Sequence, residues 1–198
     1  MRVLLSAVAI ALTLAASSAG AAGPPTRVKG TVTAVDGTVL TVRTAEGTTA
    51  AIKLPANVQV SALANRTLAD IKAGDYVGSA AVKGDDGKLH AQEVHIFTPA
   101  MRGVGEGHHP MGGPNQTMTN ATVATVSADP AGTTLRLTYP GGEQAIEIGP
   151  DTRIVAIIPG DRSLLKAGAL VSVFVNPQGD GTLTARSIQA EKDGVPPL

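Results

Sequence analysis

GTVTAVDGTVLTVRTAEG, residues 30–47, and ATVATVSADPAGTTLRLTYPGG, residues 121–142, are two versions of one segment. Val32, Val35, Leu40 and Val42 align with Val123, Val126, Leu135 and Leu137, and the second copy has a turn four residues longer. The likeness continues along the chain. AIKLPANVQV from Ala51 matches AIEIGPDTRI from Ala145, and LADIKAGDYV from Leu68 matches RSLLKAGALV from Arg162. DGKLHAQEV, Asp86 to Val94, matches DGTLTARSI, Asp180 to Ile188. A match through nearly the whole of both halves is an internal duplication, so one small fold is used twice.

Each copy reads as β-structure. Asp36-Gly37 lies between alternating apolar residues, the dipeptide that a two-residue hairpin turn favours because it tolerates positive φ. Ile52 with Leu54, and Ile146 with Ile148, keep a period of two, which gives the third strand of each copy one buried face. LADIKAGD then breaks the alternation as a short helical turn capped by Gly74, with Gly168 at the matching place. Two further strands follow, about Asp75 to Lys83 and Lys88 to Phe97. In the last of these Leu89 and Ala91 have the opposite parity to Val94 and Ile96, and a bulge near Gln92-Glu93 reconciles them. Three strands, a helical turn and two strands is the element order of an OB-fold barrel. The expectation is an all-β chain of two tandem five-stranded OB-like barrels, with a plain β-sandwich as the alternative. Domains of about 70 residues have little stability to spare, so the copies are expected to pack on one another.

Outside the repeats, MRVLLSAVAIALTLAASSAGAAG opens with Arg2, an apolar run from Val3 to Leu14, and a small-x-small site at Ala19-Gly20-Ala21. That pattern predicts a signal peptide over residues 1–21, cleaved after Ala21; an uncleaved anchor is the alternative. The apolar run is shorter than the roughly 20 residues of a spanning helix. The expected divisions are then residues 22–97 as the first barrel, 98–118 as a linker and 119–198 as the second barrel. A cysteine-free chain with such a leader suggests a bacterial periplasmic or secreted protein. The lack of cysteine also removes disulfides and thiolate chemistry.

Sixteen basic residues balance sixteen acidic ones, which argues against broad electrostatic capture of nucleic acid or anionic membrane. The aromatic residues are two Tyr (Tyr76, Tyr139) and two Phe (Phe97, Phe174), too few for base or sugar stacking. The core must therefore be built from Val, Ile, Leu and Ala. No G-x-S-x-G elbow, H-E-x-x-H pair or phosphate loop occurs, so no enzyme is expected. Gly103-x-Gly105-x-Gly107 has no βαβ context and reads as a loop.

MRGVGEGHHPMGGPNQTM, residues 101–118, brings histidines and methionines together. Imidazole and thioether donors suit copper, and imidazole also suits zinc. The candidate ligands are Met101, His108, His109, Met111 and Met118, with His95 at the end of the first copy's last strand. The competing reading is a solvated glycine-rich connector, or one whose methionines fill the space between barrels. A second candidate surface is ALVSVFV, Ala169 to Val175, which is apolar on both faces. One face fills a barrel. The other, with Leu170 and Phe174, must be covered by the first barrel or by a partner.

The repeated G-T-V-x-x-V-x-G-x-x-L-x-V, K-A-G-D-Y-V and D-G-x-L-x-A-x-x-V elements resemble a bacterial exported family catalogued as domain of unknown function 5666. The resemblance covers about Arg27 to Phe97 and Thr119 to Ala190. It implies tandem OB-like β-barrels in an exported protein and carries no established activity. The functional expectation is a non-enzymatic periplasmic binding or accessory protein, without a resident cofactor, that meets an unknown protein or envelope partner. The alternative is a copper- or zinc-handling protein that uses the His/Met segment.

Overall fold

The computed structural model describes residues 26–129 and 132–197; the expected signal peptide lies outside them. The first copy forms β1 (Thr26–Asp36), β2 (Val39–Thr44), β3 (Thr49–Lys53), β4 (Gln59–Asn65), β5 (Tyr76–Lys83) and β6 (Leu89–Ile96). A short strand β7 (Gly107–Pro110) follows. The second copy forms β8 (Gln116–Asp129), β9 (Gly132–Tyr139), β10 (Gly142–Ile148), β11 (Arg153–Pro159), β12 (Leu170–Pro177) and β13 (Leu183–Ala190). Single 3-10 turns at Leu68–Asp70 and Arg162–Leu164 are the expected helical turns. The Leu68–Asp70 turn is tied by Asp70 Oδ2, which accepts from Thr67 N at 2.8 Å and Thr67 Oγ1 at 3.0 Å. The described residues are all-β, as expected, with closed five-stranded barrels and additional strands.

The pairings close twice. β1, β2, β3, β13 and β12 make one ring, and β8, β9, β10, β6 and β5 make the other. Each ring thus takes its first three strands from one copy and its last two from the other. Two tandem barrels, each folded from one copy, are not what forms: neither 22–97 nor 119–198 encloses a ring of its own. The physical cause lies in β4 and β11, a fourth strand before each helical turn where three are expected. β4 pairs with β13 on one side and antiparallel with β11 on the other, and β11 pairs with β6. Each therefore leads the chain out of the ring where its copy began and into the other.

The far side of each crossing is fixed by backbone. Gly74 N donates to Val123 O (2.8 Å) and Val123 N to Asp75 O (2.8 Å). At the matching place Gly168 N donates to Val32 O (2.9 Å) and Val32 N to Ala169 O (2.9 Å). Gly74 and Gly168 both sit at φ 90°, where a side chain is strained. Val32 and Val123 each precede a register shift, so their backbone groups are turned towards the incoming turn.

Three clusters fill the interior. Val32, Leu40, Val42 and Ile52 of the first copy meet Val171, Val173, Val175 and Ile188 of the second in one ring. Val77 and Val94 meet Val123, Leu135, Leu137 and Ile146 in the other. Leu63, Val155, Ile157 and Val195 form a third cluster along the β4–β11 ribbon, with Phe97 and Met101 against it. The bulge lies where the alternation requires it: Ala80 pairs with Glu93 and Ala81 with Ala91, leaving Gln92 as the extra residue. The hairpin turn is displaced by one residue from the expected Asp36-Gly37. Asp36 pairs with Val39, so the loop is Gly37-Thr38, with Gly37 at φ 52°. Val35 and Val126 stay exposed because they lie where β1 and β8 pair on one side only.

A chain cut between the copies should therefore act as two halves of one fold. Pieces 26–97 and 119–197 are expected to be unfolded as isolated monomers and to recover sheet structure as a one-to-one complex when mixed. Circular dichroism with size-exclusion chromatography checks this. Two separately folded monomers that ignore each other would contradict the exchanged rings.

Candidate functional site

Residues 98–118 are tied down along their length. Pro99–Met101 is a 3-10 turn, followed by Arg102. The Arg102 guanidinium donates to Gly74 O at 2.6 Å and to Thr122 Oγ1 at 3.2 Å, and stands 5.7 Å from the centre of the Tyr76 ring. Val104 O accepts from Tyr76 Oη at 3.2 Å and from Asn120 Nδ2 at 3.3 Å. The chain then returns as β7, antiparallel to the start of β8. What the sequence suggested as a linker is a strap and hairpin built on the outside of β5 and β8.

The hairpin separates the two adjacent histidines, because successive strand residues point to opposite faces. His108 pairs with Thr119, and its Nδ1 lies 2.8 Å from Thr119 Oγ1. Thr119 is fully buried and His108 is half-buried beside it. Burial, and secondarily the neighbouring His109, holds the His108 imidazole below its usual pKa. His109 faces the other way, directly opposite Met118. Its Nε2 lies 3.3 Å from Glu106 O. A carbonyl oxygen can only accept, so Nε2 is the donor, which in the neutral imidazole puts the lone pair on Nδ1.

The remaining candidates divide. Met111 follows β7, its N–H donating to Gln116 O at 2.8 Å, with its side chain 40% exposed. Met101 is packed against the inter-ring cluster of Leu63, Val155 and Ile157. His95 is buried on β6, with its ring edge-on to Phe97 at 4.8 Å and Nδ1 3.7 Å from Glu93 Oε1. Glu93 Oε2 in turn meets Arg153 at 2.8 Å. The His95 ring and Asn120 Oδ1 both stand over Gly78, where a β-carbon would collide with them. The register therefore brings His109, Met111 and Met118 together and leaves His108, His95 and Met101 in separate surroundings. Among the described residues no three His, Asp or Glu side chains gather as a metal-holding group.

On the other ring, β12 places Val171, Val173 and Val175 inward. Leu170 and Phe174 face out, with the Arg27 guanidinium 4.4 Å from the Phe174 ring centre. Desolvation there depresses the Arg27 pKa, and Glu93 partly offsets it. The cations stacked on Tyr76 and Phe174 were not found from sequence; no local spacing connects Arg102 to Tyr76 or Arg27 to Phe174. Two shallow clefts flank the turn at Gly149–Thr152, and neither is lined by a candidate metal-ligand or partner-surface residue. No family model, curated protein or solved structure matches the chain.

The half-buried position of His108 has a pH consequence. Because its folded pKa is depressed, its protonation costs folding free energy. Stability is expected to fall as pH drops below about 6.5, the usual imidazole value. His108→Gln should flatten the denaturation free energy between about pH 7 and 5 relative to the parent chain. Equal slopes for the two proteins in urea titrations would show that His108 does not contribute.

Proposed function

We propose that the protein is a non-enzymatic binding or accessory module of the bacterial periplasm. It engages a protein partner through the outer surface of OB-like barrels, each completed by exchange between the copies. The single observation that supports this reading best is the outward face of β12. After closure of the ring, Leu170 is 39% and Phe174 38% exposed, on a strand whose other face is buried. Ser172 lies buried between them. An aromatic ring stacked with arginine is residue chemistry enriched at protein interfaces. The near balance of charge favours a partner chosen by apolar and shape complementarity over one chosen by net charge.

Two measurements test this surface. Phe174→Asp is expected to cost about 1–3 kcal/mol of unfolding free energy and leave the chain folded, because it removes the ring under Arg27 together with the part of that ring that is buried. A much larger loss would make Phe174 a core residue. A photoreactive side chain at position 174 should give a discrete cross-linked species in cells, whereas one at exposed Glu46 should not. The same pattern from both positions would count against a partner face on β12.

A further inference from the structure

The β7–β8 hairpin presents three soft or borderline donors on one face, and we propose that it binds a single Cu(I) ion through His109 Nδ1, Met111 Sδ and Met118 Sδ. Three observations carry this. First, His109 and Met118 are direct cross-strand partners. Such partners have β-carbons about 4.5–5.5 Å apart, which lets one ion bridge an imidazole and a thioether. Second, Met111 N donates to Gln116 O and so continues the ladder one residue past β7. Alternation by two then returns Met111 to the face of His109. Gly112 and Gly113 follow it, and its partly exposed side chain is positioned to turn onto a shared ion. Third, the Glu106 carbonyl accepts the Nε2 proton of His109 at 3.3 Å. A histidine ligand commonly donates its second ring N–H to a carbonyl in this way, which fixes the tautomer and leaves the other nitrogen to coordinate.

The donor chemistry selects the metal. Two neutral thioethers and one imidazole suit Cu(I), whereas Zn(II) favours thiolate, imidazole and carboxylate, and no carboxylate belongs to the set. His108 stands apart because it faces Thr119 on the opposite side of the hairpin. The site lies on the ring that does not contain β12, so it and the partner face can fail independently.

The test uses the full folded chain and Cu(I) alone, held reduced under anaerobic conditions and titrated in competition with the chromophoric chelator bicinchoninate. One Cu(I) per chain is expected. His109→Ala, Met111→Leu and Met118→Leu should each weaken it at least about tenfold, whereas Met101→Leu and His108→Gln should leave it unchanged. Met→Leu nearly conserves side-chain volume, so loss of binding is not loss of fold. In parallel, the methyl resonances of Met111 and Met118 should move on Cu(I) addition while that of Met101 does not. The proposal is overturned by a lack of stoichiometric Cu(I), by parental affinity in the His109 and Met118 variants, by shifts confined to Met101, or by tighter binding of Zn(II).

Discussion

The two amide pairs that join Gly74 and Asp75 to Val123, and Gly168 and Ala169 to Val32, fasten each copy of the repeat to the other. They form where the chain leaves β4 or β11 and begins the strand that completes the opposite ring. Neither strand has a solvent face to spare. Val60 of β4 packs into the first ring and Leu63 into the ribbon cluster. Ile154 of β11 packs against the second ring, and Val155 and Ile157 into the ribbon cluster. Folding one copy back on itself would empty the ribbon cluster and expose the edges of β13 and β6, which β4 and β11 now cover. For a chain without disulfides and with two Tyr and two Phe, a shared core of Val, Leu and Ile from both copies is the available source of cohesion.

The first three strands of each copy, the two strands after each helical turn, and the bulge at Gln92 follow from alternation, and the structure places them as expected. The crossing strands were not read because alternation fails in them. QVSALAN buries residues on both faces, and RIVAIIP is an unbroken apolar run between Arg153 and Pro159. That second run carried an unused signal: an apolar stretch of strand length has two faces to bury, more than one small barrel needs. The exchange itself has no local signature, because a strand meets the same apolar neighbours whichever copy supplies them. The same limit applied to residues 98–118, where glycine content and adjacent histidines suggested a connector. What orders the segment is Arg102, Tyr76 and Asn120 reaching it from elements distant in sequence.

The repeat makes the two proposed surfaces comparable position by position. The alignment that matches Val32 with Val123 puts Arg27 at the place of Met118, and the one that matches Asp86 with Asp180 puts Phe174 at the place of Ala80. The structure pairs Arg27 with Phe174 across β1 and β12, and Met118 with Ala80 across β8 and β5. One outer position of the fold is therefore filled in two ways. On the first ring a large aromatic is stacked by a guanidinium, which leaves a broad, partly apolar surface suited to another protein. On the second ring a methyl group replaces the aromatic, and Met118 is paired with Ala80 on one side and His109 on the other. Val195 stands at the place of Met101, and both pack at the ribbon cluster; past Met101 the first copy continues into the strap and hairpin. Duplication supplied two equivalent outer walls. The different contacts now made on each wall follow from which side chains replaced one another there, with the backbone frame held constant by the exchange beneath.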